Sequence, residues 1–96
     1  YASTKAPMSY AQAEYPRDVF LVFGRESRGL PENLLERVYD RCIRIPMIEG
    51  ARSLNLSNSV AIVTYEALRQ HGFEHLLDHG ALTGRDEEPG AWMDYL

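Results

Sequence analysis

Val19-Phe-Leu-Val-Phe-Gly-Arg-Glu-Ser-Arg-Gly-Leu-Pro31 is the stretch that decides the fold of this 96-residue chain. Its first five residues are continuously apolar and β-favouring, bounded by Asp18 and Gly24. Alternation would mark a sheet with one wet face. An unbroken run marks a strand buried on both faces, the pattern of a parallel sheet. Gly24 and Gly29 then permit a tight turn and close approach of backbone to a ligand. Pro31 suits the first turn of a helix. Glu32 and Glu36 match that helix's dipole, and Leu34, Leu35 and Val38 supply its apolar stripe.

The same order then repeats. Arg41-Cys-Ile-Arg-Ile-Pro46 reads as a second strand, ended by Pro46. A loop containing Gly50 leads to a dense polar cluster, Ser53, Asn55, Ser57 and Asn58, whose side chains can cap a helix or grip a ligand. The helix is expected to start near Asn55 or Ser57. Leu56, Val60, Val63, Ala67 and Leu68 form its apolar face, broadened by Ile62 and Tyr65. Gly72 is its natural stop, and residues 73–77 are expected to add one more turn. Upstream, residues 1–5 read as the end of a strand and residues 6–15 as mixed and turn-like. Strand, glycine turn, helix, strand, polar loop, helix is a βαβα order, which implies the α/β class with a parallel sheet. Such folds bind ligands in loops at the carboxyl ends of strands. The site is therefore sought between residues 24 and 58.

Composition narrows the function. The apolar fraction of 45% is that of an ordinary globular protein. The longest purely apolar run is far short of a membrane span, and no signal peptide is evident. Tyr1 in place of Met suggests a processed product or a fragment. Net charge is −4, unevenly spread: residues 1–71 hold nine basic and eight acidic side chains, residues 72–96 one and six. Overall acidity argues against strong nonspecific nucleic-acid binding but leaves room for a local basic patch. Nine of the ten basic residues are Arg, which suits bidentate contact with phosphate. Cys42 is the only cysteine. It points to a reducing, cytoplasmic setting and reads as a buried structural thiol. His71, His75 and His79 recur at helical spacing, yet no metal-ligand signature frames them, so no metal is expected. A Walker lysine and a Gly-x-Gly-x-x-Gly fingerprint are both missing, which argues against a bound triphosphate or dinucleotide.

Three ordered segments carry a resemblance: residues 23–31, Ile45-Pro-Met47, and Ser53-Leu-Asn-Leu-Ser-Asn-Ser-Val60. Together they resemble the second and third motifs of SpoU-class SPOUT RNA methyltransferases. Arg52-Ser-Leu-Asn-Leu-Ser-Asn58 with Tyr65-Glu-Ala-Leu-Arg-Gln70 is most similar to the tRNA wobble-nucleotide (cytidine/uridine) 2′-O-ribose methyltransferases. The resemblance implies a parallel-sheet α/β knot fold, represented by its C-terminal portion with the N-terminal strands missing. Residues 1–77 would be the cofactor-binding part, with a deep trefoil knot, and residues 78–96 an acidic tail outside the resemblance. It implies S-adenosylmethionine as cofactor, tRNA as partner, a homodimer, and neither metal nor membrane.

Carried over position by position, the resemblance implies Ala2, Gly24, Ile45, Ser53 and Leu54 for the cofactor, mostly through main-chain groups. It implies Glu26, Asn55 and Ser53 for catalysis. Arg28 and Arg52 are the candidates for tRNA phosphate. Plainer readings stand beside these. Glu26 and Arg28 can brace their loop as an ion pair, Ser57 and Asn58 can cap the helix, and Tyr65 can pack or lie at a dimer interface. Arg25 stands where the family commonly has Pro. The family's first motif, an Asn-x-Gly segment followed by an arginine, is absent from these residues. That absence supports a second reading, a non-catalytic dimerisation or RNA-binding module of the same fold. A third keeps the chemistry and changes the RNA site.

Overall fold

The computed structural model describes residues 1–51 and 54–95, and the expectations for Arg52 and Ser53 lie outside the described residues. Two strands, β1 (Met8–Ser9) and β2 (Ile43–Arg44), pair in parallel, with Met8 opposite Ile43 and Ser9 opposite Arg44. Ala2 forms parallel bridges to both Phe23 and Ile43. The Ile43 N–H donates to the Tyr1 carbonyl (2.9 Å), the Ser3 N–H to the Ile43 carbonyl (2.9 Å), and the Ala2 N–H to the Val22 carbonyl (2.9 Å). The order across this parallel sheet is therefore residues 21–23, residues 1–3, β2, β1. β2 lies between two segments that are joined in sequence by residues 4–7 alone.

Successive residues of an extended chain point to opposite faces, and Cys42 with Ile43 at the start of β2 thereby build two cores. Ile43 joins Tyr15, Val63 and Ala67 on the face covered by α2 (Leu56–Gln70). Cys42, fully buried, joins Leu35 and Val38 on the face covered by α1 (Glu32–Arg37). The result is a helix–sheet–helix sandwich. The Cys42 thiol donates to the Val38 carbonyl at 3.3 Å, the structural role read from the sequence.

α2 has both of its ends defined by side chains or turn bonds. Asn55 is the N-cap; its Oδ1 accepts the Asn58 N–H at 2.9 Å and the Ser57 hydroxyl at 3.1 Å. At the other end the Gly72 N–H donates to the Arg69 carbonyl and the Phe73 N–H to the Leu68 carbonyl. That pair of bonds is a Schellman motif.

Several expectations are corrected. The run 19–23 is not buried on both faces: Phe20 is 89% exposed, and among the described residues the segment's one bridge is to Ala2. Residues 6–15 are not only turn, since they contain β1. Residues 73–77 do not extend the helix, because Phe73 and His75 have positive φ. His71, His75 and His79 therefore do not share a helical face. No group of three or more His, Cys, Asp or Glu among the described residues is placed to hold a metal ion. Among the described residues no helix is long and apolar enough to cross a membrane. Tyr65 points outward, 60% exposed, against Phe73 with ring centroids 6.5 Å apart.

A polar clamp ties α2 to the loop before residue 16. Gln70 Oε1 accepts the Tyr15 N–H (3.0 Å), while Nε2 donates to the Ala13 carbonyl (2.8 Å) and to Glu66 (2.8 Å). Glu66 is buried and also receives both nitrogens of an Arg69 fork at 2.8 and 2.9 Å. These bonds from Arg69, then Gln70, hold its carboxyl below the ordinary carboxylate range. The Tyr15 hydroxyl donates to the Tyr10 carbonyl at 2.6 Å. Burial, with Glu66 and then Tyr10 adding to it, pushes the Tyr15 phenol up to about 12.

Candidate functional site

The carboxyl ends of the central segments open into a cavity of about 270 Å³. Its floor comes from Ala2, Phe23, Ile43 and Ile45, and one wall from the turn 24–30. The opposite wall comes from Met47, Leu54, Leu56, Ser59 and Val63 at the start of α2. Three segments far apart in sequence thus share one space.

The turn is shaped by glycine. A Cβ on Gly24 would sit 2.1 Å from the Gly29 carbonyl carbon and 2.3 Å from the Leu30 nitrogen, so only a bare Cα lets the two strands of the turn approach. The Arg25 carbonyl accepts the Gly29 N–H (2.7 Å) and the Arg28 N–H (3.2 Å), and Gly29 adopts φ +69°. Main chain from residues 24–30 therefore forms a fixed lip, with Glu26 and Arg28 on it. Both of these side chains are exposed and line the cavity. The ion pairs among the described residues do not include Glu26 with Arg28, so a mutual brace is not how the turn is held.

Of the residues singled out for the cofactor, Ala2, Gly24, Ile45 and Leu54 all line this cavity. Asn55 does not, although its neighbours Leu54 and Leu56 do. Its side-chain oxygen is engaged in the cap of α2. Lys5, Arg25, Arg44, Met47 and Ser59 were not singled out as site residues and lie on the wall. Arg25 carried a legible signal, being inside the glycine turn. Lys5 and Arg44 reach the cavity only because β2 sits beside residues 1–3, which no local pattern reveals. Lys5 Nζ is 3.0 Å from Glu32, and Arg44 Nη1 donates to the Thr4 carbonyl at 3.0 Å, so the loop 3–6 is pinned from two sides.

Comparison with known proteins agrees with this geometry. Residues 1–65 match the model of the SpoU rRNA Methylase family. The chain is 53% identical over 68 residues to a Geobacillus stearothermophilus protein provisionally named a tRNA (cytidine(34)-2′-O)-methyltransferase; the match covers 71% of this chain and 43% of that protein. It is 43% identical over 72 residues to the Escherichia coli K12 tRNA (cytidine(34)-2′-O)-methyltransferase, covering 74% of this chain and 46% of that one. A solved structure described as giving structural insights into the 2-OH methylation of C/U34 on tRNA superposes with a TM-score of 0.68 at 41% identity. That superposition covers 74% of this chain and 43% of that one. The chain thus spans less than half the length of these relatives. With the family model matched across two thirds of its residues, and the matched segments meeting around one cavity, the chain belongs to the SpoU rRNA Methylase family.

Proposed function

We propose that this chain is the cofactor-binding part of a methyltransferase that modifies the ribose 2′-hydroxyl of the tRNA wobble nucleotide. The observation that carries this reading is the convergence of Ala2, Gly24, Ile45 and Leu54 on one cavity. Support for the substrate comes from the names of the relatives, which specify cytidine 34 of tRNA.

The cavity suits S-adenosylmethionine on two counts. It has an apolar floor and a volume just under the range of about 300–1,000 Å³ usual for such pockets. Its lip is main chain held by the Gly24–Gly29 contact, which presents directed hydrogen-bonding groups without a side chain in the way. When bound, S-adenosylmethionine supplies an electrophilic methyl group. The residues of this chain do the rest. Gly24, Ile45 and Leu54 grip through backbone and apolar contact, and the fixed lip orients the two reactants, since alignment supplies much of the acceleration in such transfers. Glu26, the one carboxylate on the cavity wall, accepts a hydrogen bond from the ribose 2′-hydroxyl and draws its proton away. Asn55 acts by positioning: its cap sets where α2 begins and so where Leu54 and Leu56 meet the cavity. Ser53 keeps its proposed roles in catalysis and cofactor binding, and Arg52 its role at RNA phosphate. Arg28 takes phosphate from the lip.

The same reading includes the trefoil knot, supported by the placement of β2 between residues 1–3 and β1. It also includes a homodimer acting in the cytoplasm on an exposed anticodon loop. The test is methyl transfer by the intact protein to tRNA with and without the wobble 2′-hydroxyl. Transfer to the first and none to the second is expected. Equal transfer to both would sink the assigned position.

A further inference from the structure

Among the described residues, four cationic side chains line the cavity, Lys5, Arg25, Arg28 and Arg44, against the single carboxylate of Glu26. Two of the four are already engaged. Lys5 pairs with Glu32, and Arg44 holds the Thr4 carbonyl. Arg25 and Arg28 are exposed and make no ion pair or side-chain hydrogen bond among the described residues. They occupy the first and last positions of one β-turn, closed by the Arg28 N–H to Arg25 carbonyl bond of 3.2 Å. The ends of such a turn lie within about 7 Å of each other. The turn cannot drift, because Gly24 is in backbone contact with Gly29 and Leu30. The backbone is thus set in advance, and both arginines are exposed residues of the cavity lining.

We propose that Arg25 and Arg28 together form a two-arginine clamp for the phosphodiester backbone of single-stranded RNA, with Arg25 as a phosphate ligand in its own right. This inference rests on the reading of the cavity as a ribose-methylation site. Guanidinium groups offer paired N–H donors that match phosphate oxygens. Contacts of this kind fix register and carry no base preference. The clamp holds the strand so that the ribose beside the gripped phosphate faces the cavity, while Glu26, between the two arginines, meets the hydroxyl. Arg25 strengthens RNA binding uniformly across sequences and leaves cofactor affinity untouched.

The experiment measures binding of the intact protein to a labelled anticodon stem-loop RNA over a range of salt concentrations, beside calorimetry with S-adenosylmethionine. Each phosphate neutralised on a single strand contributes about −0.7 to the slope of log affinity against log salt. Arg25→Ala is expected to flatten that slope by about 0.7 and weaken RNA binding several-fold, with the same loss for wobble cytidine and uridine. Cofactor affinity should not change. Arg25→Lys should keep the slope. Arg85→Ala removes another exposed arginine, one outside the cavity and paired with Glu87, and should leave the slope as it is. An unchanged slope in Arg25→Ala, or an equal flattening in Arg85→Ala, overturns the clamp alone if the parent protein still methylates RNA. Absence of RNA binding and methylation in the parent protein overturns both the clamp and the site reading beneath it.

Discussion

The Gln70 side chain takes the place of a neighbouring strand for Tyr15: across 55 positions of sequence it accepts the Tyr15 N–H at 3.0 Å, and it answers the Ala13 carbonyl with its other end. A single amide thereby satisfies two backbone groups that no ladder reaches, and fastens α2 to the loop that follows β1. Replacing it should expose how much of the sandwich depends on that fastening. Gln70→Ala leaves the Tyr15 N–H and the Ala13 carbonyl without partners, while Glu66 keeps its two bonds from Arg69, and each such half-buried group costs about 1 kcal/mol. Urea denaturation should show a loss of about 2 kcal/mol with an unchanged m-value. A loss below about 0.5 kcal/mol would mean that water replaces the amide freely.

Gly24→Ala tests the lip of the cavity. The added methyl would overlap the Gly29 and Leu30 backbone, and no flexible side chain is there to yield. The turn must open, so S-adenosylmethionine affinity should fall by at least about tenfold, or about 1.4 kcal/mol. Calorimetry measures it directly. Wild-type affinity in this variant would show that the lip takes no part in binding.

Asn55 separates stability from chemistry. Losing the cap oxygen should cost about 1 kcal/mol in Asn55→Ala, while Asn55→Ser should keep most of it. If the residue acts only by setting the start of α2, Asn55→Ser also keeps methyl transfer. A stable Asn55→Ser protein with transfer abolished would assign the amide a direct contact with the reactants.

The buried pair at the base of α2 predicts the pH profile. Glu66 has a lowered folded pKa, so its contribution is fully present above the ordinary glutamate value and is lost as pH falls through the folded value. Stability should hold between neutral pH and about 5, then decline in acid, and Glu66→Gln should flatten that acid limb. Tyr15 has the opposite sign. Its phenol is raised to about 12, so its contribution is complete below the ordinary value of 10 and disappears as pH climbs towards 12. Thermal melts across both limits would show the two arms, and Tyr15→Phe should remove the alkaline one.

Much of this was readable from local chemistry. Asn55 caps α2 as its side chain suggests, and the Gly72 stop is realised through a Schellman motif. Leu35 and Val38 are buried as the spacing of their helix requires. The errors have separate causes. Residues 19–23 look fully interior, yet Phe20 is exposed, and what covers a strand's faces is set by distant segments. β1 has two residues after a proline, too few for any periodicity. The histidine spacing fails because Gly72, Phe73 and His75 all take positive φ. At the site, the glycine turn, Ile45 and Leu54 were legible as motifs. Lys5 and Arg44 were not, because they arrive there through the sheet order.

That order also constrains how the molecule can be made. Residues 1–10 are made before Ile43, but the slot between Ala2 and Met8 stays empty until Ile43 fills it from the far side of α1. The early residues cannot zip together into a finished ribbon, because doing so would shut out the piece they need. Assembly must wait with a gap held open, and the closing of that gap, not the winding of α2, is the slow event to be expected in refolding.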